Sequence, residues 1–327
     1  MLNMPNPQSF RFSSAHQVAV LYGGRSHERQ VSLQTGHAIY EALIKKGYQA
    51  HLIDPQVDLY TQLKDLKIDV VYLGLHGTYG EDGCIQGLLE WSQIPYTGSG
   101  VQASSVVMNK ELTRRILQAD HLPVARGMTW RTHEAFPQAK DLPQPPWVLK
   151  PVAEGSSVGV KRCETLEELH QNLQECNSQQ QWLIEQWVTG VELSIMVLDG
   201  QAWGGVEIEP KEGWYDFEAK YQRQDTQYHL PPRIPEADLN HLKKWAEKAY
   251  AALECRGVVR VDLIYTPTSD SLSPNQNSNL QGVILELNTL PGMTATSLVP
   301  KMANAHGVSF EDLVELILQG AQLDHEN

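Results

Sequence analysis

Short apolar runs alternate with helical patterns through the first quarter of the chain, and this alternation is the strongest constraint on the fold. The pattern predicts strands at residues 18–22, 48–53 and 70–75 and helices at residues 32–46 and 57–66. Such a βαβαβ order indicates a parallel sheet with right-handed crossovers, whose ligands bind beyond the carboxyl ends of the strands. Glycine-rich turns at residues 23–24 and 76–83 fall at those ends.

The pattern changes beyond residue 98. Helices over about residues 101–119 are followed by strands at 147–150, 182–187, 191–198 and 202–208, an order that predicts a mixed or antiparallel α+β arrangement. A long helix at 236–253 precedes two further strands, at 258–265 and 283–288. Residues 1–16 are typical of a loose tail, and residues 268–281, rich in Ser, Asn and Pro, of a surface insertion.

Charge and cysteine spacing exclude several classes of protein. The 26 Lys and Arg against 39 Asp and Glu give a formal charge of −13 without any basic run, which argues against nucleic-acid binding. No stretch approaches the ~18 consecutive apolar residues of a membrane span, and residues 1–17 lack the apolar core of a signal peptide. The four cysteines fit neither a metal knuckle nor a disulfide framework. We therefore expect a cytoplasmic protein that does not bind membranes.

A small, glycine-rich loop follows the strand that ends at Lys150. Residues 154–159 (EGSSVG) offer many backbone N–H groups, which can wrap phosphates. Neither a GxxxxGK[ST] nor a GxGxxG motif is present, so simple P-loop and Rossmann sites are disfavoured. The sequence of this loop alone also allows an ordinary hairpin turn beside a solvated lysine.

The last two predicted strands carry polar residues in alternation. Arg260 and Asp262 share one face of the first strand, and Glu286 and Asn288 share one face of the second. If the strands are neighbours, two carboxylates and an amide oxygen converge, and these are ligands that suit Mg²⁺. The arginine could then neutralise charge on a transferring group. The alternative is a sheet with one solvated face.

For five further residues, a purely structural role is the alternative to a functional one. Glu185 and Glu192 could hold an adenine amine and ribose hydroxyls, or could be solvated glutamates. Lys110 could be a helix-surface lysine, His76 a loop histidine with its hydrogen bonds satisfied, and Glu28 a partner for a helix dipole.

In their order along the chain, these segments resemble the D-alanine–D-alanine ligase family of the ATP-grasp superfamily. The resemblance covers residues 18–318 and rests on the motifs at 23–32 (GGRSHERQVS), 76–83 (HGTYGEDG), 95–100 (PYTGSG), 150–159, 215–221 (YDFEAKY), 260–262 (RVD) and 286–293 (ELNTLPGM). Gln30 departs from the family, in which an acidic residue is common at this position. Many unlike motifs in one order make coincidence improbable.

The resemblance implies an ATP-grasp architecture of α/β and α+β domains. After a tail at 1–17, a parallel-sheet domain would span 18–105, a central α+β domain 106–190 and a C-terminal α+β domain 191–327, with ATP between the last two. The residues implied to contact ATP are Lys110, Lys150, Ser156, Glu185, Trp187, Val188, Glu192 and Lys220. Asp262, Glu286 and Asn288 would hold two Mg²⁺ ions, with Mn²⁺ as a possible substitute.

The resemblance also implies the substrate site. Glu28 would bind the ammonium of the first D-alanine, with Ser156 and Tyr221 linked to Glu28 by hydrogen bonds. Arg260 and the Gly292 N–H would stabilise an oxyanion. The remaining substrate contacts implied are His76, Ser297 and Leu298.

The implied reaction transfers the γ-phosphoryl group of ATP to one D-alanine, and the amine of a second D-alanine attacks the acyl phosphate. The product, D-alanyl-D-alanine, would serve peptidoglycan synthesis, and the family resemblance implies a homodimer. Two alternatives stay open within the superfamily: a ligase that forms an ester with D-lactate, against which Tyr221 argues, and another carboxylate-amine ligase. A two-lobed binding protein without catalysis is the alternative from another class.

Overall fold

The computed structural model describes residues 11–56, 58–155, 159–176, 181–211, 225–267 and 281–325. Its strands are β1 Gln17–Leu21, β2 Gln49–Ile53, β3 Val70–Leu73, β4 Gly127–Arg131, β5 Trp147–Pro151, β6 Lys161–Cys163, β7 Gln181–Gln186, β8 Val191–Leu198, β9 Gln201–Glu209, β10 Gln227–His229, β11 Val258–Thr266 and β12 Gln281–Asn288. Its helices are α1 Arg29–Lys45, α2 Leu59–Asp65, α3 Cys84–Ser92, α4 Val101–Met108, α5 Lys110–Ala119, α6 Leu166–Gln174, α7 Glu236–Ala252, α8 Leu298–Ala305 and α9 Phe310–Gln319.

The N-terminal strands form a parallel sheet in the order β2-β1-β3, which confirms the predicted βαβαβ arrangement. Every residue of β3 is buried, as expected for a strand covered on both faces. The glycine-rich loops after β1 and β3 both lie at the carboxyl edge of this sheet. That edge faces the cavity described below.

The remaining strands form two antiparallel sheets, so the antiparallel alternative is the correct one. One has the order β4-β7-β5-β6 and encloses its own apolar core with α6. The other has the order β10-β9-β8-β11-β12 and packs one face against α7. Within the described residues, no helix is long and apolar enough to cross a membrane.

The helices expected over about residues 101–119 are present as two, α4 and α5, separated at Asn109. Asn109 is extended, with φ −92° and ψ 98°, and its side chain accepts a hydrogen bond from the Leu112 N–H at 3.1 Å. Asparagine is a favoured N-cap, so it ends one helix and starts the next. The expected domain boundary at residue 105 thus falls inside α4, whose Val107 packs into the core of the five-stranded sheet.

The C-terminal helix packs against the N-terminal domain and covers part of the expected tail. Phe12 is buried, and its N–H donates to the Gln319 side chain at 2.9 Å. Lys46 on the loop after α1 pairs with Glu315 of α9 at 2.9 Å. Phe12 is therefore packed against the fold, whereas Arg11 and residues 13–15 are exposed. The rest of the expected tail, residues 1–10, and residues 268–280 of the expected insertion lie outside the described residues.

Candidate active site

Two cavities meet in the interior of the molecule. The first, of about 470 Å³, lies between the carboxyl edge of the parallel sheet and the start of α8. The second, of about 720 Å³, lies between the two antiparallel sheets. Lys110, Glu154 and Glu286 line both cavities. A ligand in one cavity can therefore reach a ligand in the other.

The second cavity collects the residues expected to bind the nucleotide. Within the described part of the chain these are Lys110, Lys150, Glu185, Trp187, Val188 and Glu192. Lys110 begins α5, and its ammonium donates to the Glu154 carbonyl and lies 4.0 Å from the Glu286 carboxylate. The break at Asn109 thus puts a cation at the junction of the cavities. Ser156 and Lys220 lie outside the described residues.

Glu185 is a buried carboxylate held by two cations, so the solvated-glutamate interpretation is wrong for it. Its carboxylate pairs with the Lys150 ammonium across the β5–β7 pair. The other carboxylate oxygen lies 2.8 Å from Arg114 Nε, on α5. Because Arg114 also lies beside Glu185, the carboxylate does not depend on Lys150 alone for a counter-ion.

The first cavity contains Glu28, at the N-terminal end of α1. A Cβ atom added to Gly77 would lie 2.6 Å from Glu28 Oε2, and one added to Gly155 would lie 2.7 Å from the same atom. Gly77 also has a φ of +68°, which favours glycine. Both glycines thus make room for the carboxylate. The Glu28 side chain makes no capping hydrogen bond to α1, which weakens the helix-dipole interpretation.

His76 also lines this cavity, with its ring 3.0 Å from Thr35 Oγ1. Burial and the nearby charge of Arg260 lower the pKa of His76 to about 4, so the ring is neutral near neutral pH. The ring is therefore a hydrogen-bonding group rather than a cation. This position fits both the substrate-contact and the satisfied-histidine interpretations.

The two polar strands are neighbours, as the sequence predicts. In the antiparallel register of β11 and β12, Asp262 lies opposite Glu286 and Arg260 lies opposite Asn288. Asp262 is buried, which excludes the solvated-face alternative at this position. It accepts hydrogen bonds from Ser194 Oγ at 2.5 Å and from Arg260 Nη2 at 2.9 Å. Arg260 is therefore held on Asp262 as well as at the edge of the first cavity.

The segment that follows β12 completes the wall of the first cavity. Gly292, Ser297 and Leu298 all line it. A Cβ atom added to Gly292 would lie 3.0 Å from Ser297 Oγ, so glycine allows the close approach of these two residues. Ser297 Oγ accepts a hydrogen bond from the Thr294 N–H at 3.1 Å, which fixes the turn before α8. Tyr221, expected at this site, lies outside the described residues.

Two family models match the chain: the D-ala D-ala ligase C-terminus over residues 112–319 and the D-ala D-ala ligase N-terminus over residues 55–99. The chain belongs to the D-alanine–D-alanine ligase family. The D-alanine--D-alanine ligase of Anaeromyxobacter sp. (strain Fw109-5) is 44% identical over 316 residues, which cover 94% of this chain and 97% of that relative. The D-alanine--D-alanine ligase of Syntrophotalea carbinolica is 42% identical, over a stretch that covers 94% of this chain and 96% of that relative.

Solved structures of the ligase family share the fold. The D-alanine--D-alanine ligase of Bacillus anthracis complexed with ATP has a TM-score of 0.79 and 29% identity, covering 93% of this chain and 97% of that chain. A second structure of that ligase has a TM-score of 0.80 and 31% identity over the same shares. The ATP-grasp architecture is thereby confirmed.

Glu81 is a buried carboxyl residue to which the sequence analysis gave no separate role. Glu81 Oε2 accepts a hydrogen bond from the Gly77 N–H at 2.6 Å. Burial, together with the charge of Glu28, raises the pKa of Glu81 from 4.5 to about 8. Near neutral pH the proton stays on Glu81. The only sequence signal was its place in the 76–83 motif.

Glu81→Gln should make the stability of this ligase less dependent on pH. Because the pKa of Glu81 is raised in the folded state, the folded protein binds more protons than the unfolded one between about pH 4.5 and about pH 8. The contribution of Glu81 to the free energy of unfolding is therefore present at low pH and is lost as pH rises through this window. From about pH 6 to about pH 9, the free energy of unfolding of the variant should therefore increase by about 1–3 kcal/mol relative to that of wild type. Urea unfolding at both pH values measures this gain, and parallel pH profiles would contradict the assignment.

Proposed function

We propose that the chain joins two D-alanines into D-alanyl-D-alanine at the expense of ATP, for synthesis of a cell-wall precursor. The observation that carries this proposal is the junction of the two cavities at Lys110, Glu154 and Glu286. A cavity of about 470 Å³ that contains Glu28 and Arg260 opens there onto a larger one whose lining includes Lys110 and Lys150. Membership of the ligase family supports the same reaction.

The larger cavity would hold ATP. Lys110 and Lys150 would contact its phosphates, since both ammonium groups lie on the cavity wall. Glu185 would accept a hydrogen bond from the adenine amine and Glu192 would bind ribose hydroxyls, with Trp187 and Val188 beside the base. The similarity to a structure complexed with ATP supports this placement. Ser156 and Lys220 remain proposed contacts on sequence grounds alone.

The donor set at the junction fits Mg²⁺. Asp262 and Glu286 supply carboxylates and Asn288 an amide oxygen, which are hard ligands suited to two Mg²⁺ ions or to Mn²⁺. When bound, the metal supplies charge neutralisation for the phosphates. Asp262 is already oriented by Ser194 and Arg260, so this carboxylate needs little reorganisation.

In the first step, the carboxylate of the donor D-alanine would attack the γ-phosphorus of ATP, releasing ADP and leaving D-alanyl phosphate. Glu28 would hold the donor ammonium, while Lys110 stands at the junction where the phosphoryl group crosses. A carboxylate is a poor electrophile, whereas the acyl phosphate, a mixed anhydride, is a good one. The protein contributes mainly position and charge to this step.

In the second step, the free amine of the acceptor D-alanine would attack the acyl carbon, the bond to phosphate would break, and the proton lost from the amine would leave with the phosphate. The tetrahedral intermediate carries an oxyanion, which Arg260 and the Gly292 N–H would stabilise. Ser297 and Leu298 would bind the acceptor, and His76 would contact the donor as a neutral hydrogen-bonding group. Tyr221 and Ser156 would connect to Glu28 as the family resemblance implies.

The proposal predicts that purified protein releases ADP only when D-alanine is added with ATP and Mg²⁺, and that D-alanyl-D-alanine forms in equal amount. A coupled ADP assay with product chromatography measures both. A parallel assay with D-alanine plus D-lactate separates a dipeptide ligase from an ester-forming ligase. Absence of D-alanine-dependent ADP release would refute the proposed reaction, and a dominant ester product would favour the D-lactate alternative.

The domain boundaries at residues 105 and 190 are supported by the family resemblance, as is a homodimer. A cytoplasmic location is supported by the site of ATP and of precursor synthesis in bacteria. Analytical ultracentrifugation measures the oligomeric state.

A further inference from the structure

The first cavity has a cation that the proposed reaction has not used. Within the described residues its lining cations are Lys110, Arg260 and Lys301. Lys110 also lines the nucleotide cavity, and Arg260 is hydrogen-bonded to Asp262. Lys301 lines the first cavity and not the nucleotide cavity. It is therefore placed to act on the amino-acid substrates.

Lys301 lies on the same side of α8 as the residues of the acceptor end. It follows Ser297 by four positions and Leu298 by three, the spacing that places side chains together on a helix. All three residues line the cavity. The donor end, marked by Glu28, belongs to α1 instead. Lys301 thus marks the acceptor end.

Two neighbours hold the Lys301 ammonium at the cavity wall. It donates a hydrogen bond to the Thr296 carbonyl and lies 4.6 Å from the centre of the Tyr228 ring. Thr296 and Tyr228 also line the cavity. An ammonium has three N–H donors, so a carbonyl and a ring face leave capacity for an anionic ligand.

The Lys301 side chain is partly buried at this position. Burial lowers the pKa of Lys301, and no carboxylate of the described residues offsets this effect. The local environment therefore costs free energy, and an anionic ligand in the cavity would recover part of it.

We propose that the Lys301 ammonium pairs with the carboxylate of the acceptor amino acid and so selects an acceptor that carries a carboxylate. This inference rests on the proposed function and assigns a specificity residue for its second step. The acceptor reacts through its amine, so its carboxylate is unchanged in the product and is available for recognition throughout. Lys301 is thus a binding residue and takes no part in the phosphoryl transfer.

The test compares Lys301→Met with wild type, Lys301→Arg and Lys244→Met. Methionine keeps the length of the side chain and removes its charge, whereas arginine keeps the charge. Lys244 is exposed on α7 and lines neither cavity, so its variant controls for loss of a lysine. In Lys301→Met the KM for acceptor D-alanine should rise about tenfold or more, the size expected for a lost charged hydrogen bond, with little change in the KM for ATP or in kcat. Lys301→Arg should retain most of the affinity.

A competition assay tests whether the acceptor carboxylate is the group that Lys301 recognises. D-Alaninamide has no carboxylate and can serve only as acceptor, so the ratio of D-alanyl-D-alanine to D-alanyl-D-alaninamide reports acceptor selection. Lys301→Met should lower this ratio about tenfold while Lys244→Met leaves it unchanged. An unchanged acceptor KM and product ratio in Lys301→Met, or a change confined to the KM for ATP, would overturn the inference. If wild type released no ADP with D-alanine, the proposed function itself would fail instead.

Discussion

Glu286→Gln should reduce D-alanine-dependent ADP formation by about 100-fold or more, equivalent to about 2.7 kcal/mol of transition-state stabilisation. Glu286 lines both cavities at their junction and lies opposite Asp262 in the β11–β12 register. The substitution keeps the shape of the side chain and removes one negative charge from the proposed Mg²⁺ ligands. The variant should therefore require more Mg²⁺ and turn over more slowly even when Mg²⁺ is saturating.

Glu286 is a better choice for this test than Asp262. The Asp262 side chain is buried and hydrogen-bonded to both Ser194 and Arg260, so its replacement would leave a partly buried arginine without this counter-ion. Loss of activity would then be mixed with loss of stability. The Glu286 side chain is 30% exposed, and its replacement should change the free energy of unfolding by less than about 0.5 kcal/mol.

ADP formation as a function of Mg²⁺ concentration, with thermal unfolding measured in parallel, tests this prediction. Glu41→Gln supplies a matched control, because Glu41 is exposed on α1 and lines neither cavity. The control should behave as wild type. Near-normal ADP formation by Glu286→Gln at limiting Mg²⁺ would show that Glu286 is not a metal ligand.

The polar face of β11 and β12 could be predicted because the signal is local. Side chains in a strand alternate with a period of two, so four polar residues at fixed spacing on two successive strands identify one face. Chain neighbours in an antiparallel sheet usually pair, which brings the two faces together. The alternation pattern does not predict the hydrogen bond between Arg260 and Asp262.

Arg114 and Glu81 show why part of the site was missed. Arg114 lies on α5 and contacts Glu185 of β7, a contact that depends on how helix and sheet pack and leaves no local pattern. The raised pKa of Glu81 arises from burial beside Glu28, which also depends on the assembled fold. In contrast, the break at Asn109 has a local signal, an asparagine N-cap followed by Glu111 in the first turn of α5.

Glu28→Gln should weaken binding of the donor D-alanine by about 10- to 100-fold without lowering the stability of the protein. The carboxylate occupies a space that Gly77 and Gly155 leave open, and glutamine fits the same space without the charge that an ammonium needs. Stability should hold near neutral pH, where Glu81 is protonated, and should rise slightly above about pH 8, where an ionised Glu81 would be repelled by the Glu28 charge. A residue that served the dipole of α1 would behave in the opposite way.

The measurement is the concentration dependence of ADP formation on D-alanine, with the midpoint of thermal unfolding recorded at about pH 6 and about pH 9. Loss of the Glu28 charge should also lower the pKa of Glu81, since that charge is one of the two causes that raise it. The decline of stability with rising pH should accordingly be shallower in Glu28→Gln than in wild type. A lower midpoint together with unchanged affinity for D-alanine would instead assign Glu28 to the end of α1. The weaker binding of D-alanine and the shallower pH dependence of stability both come from loss of the same charge. They should therefore appear together in the variant or be absent together.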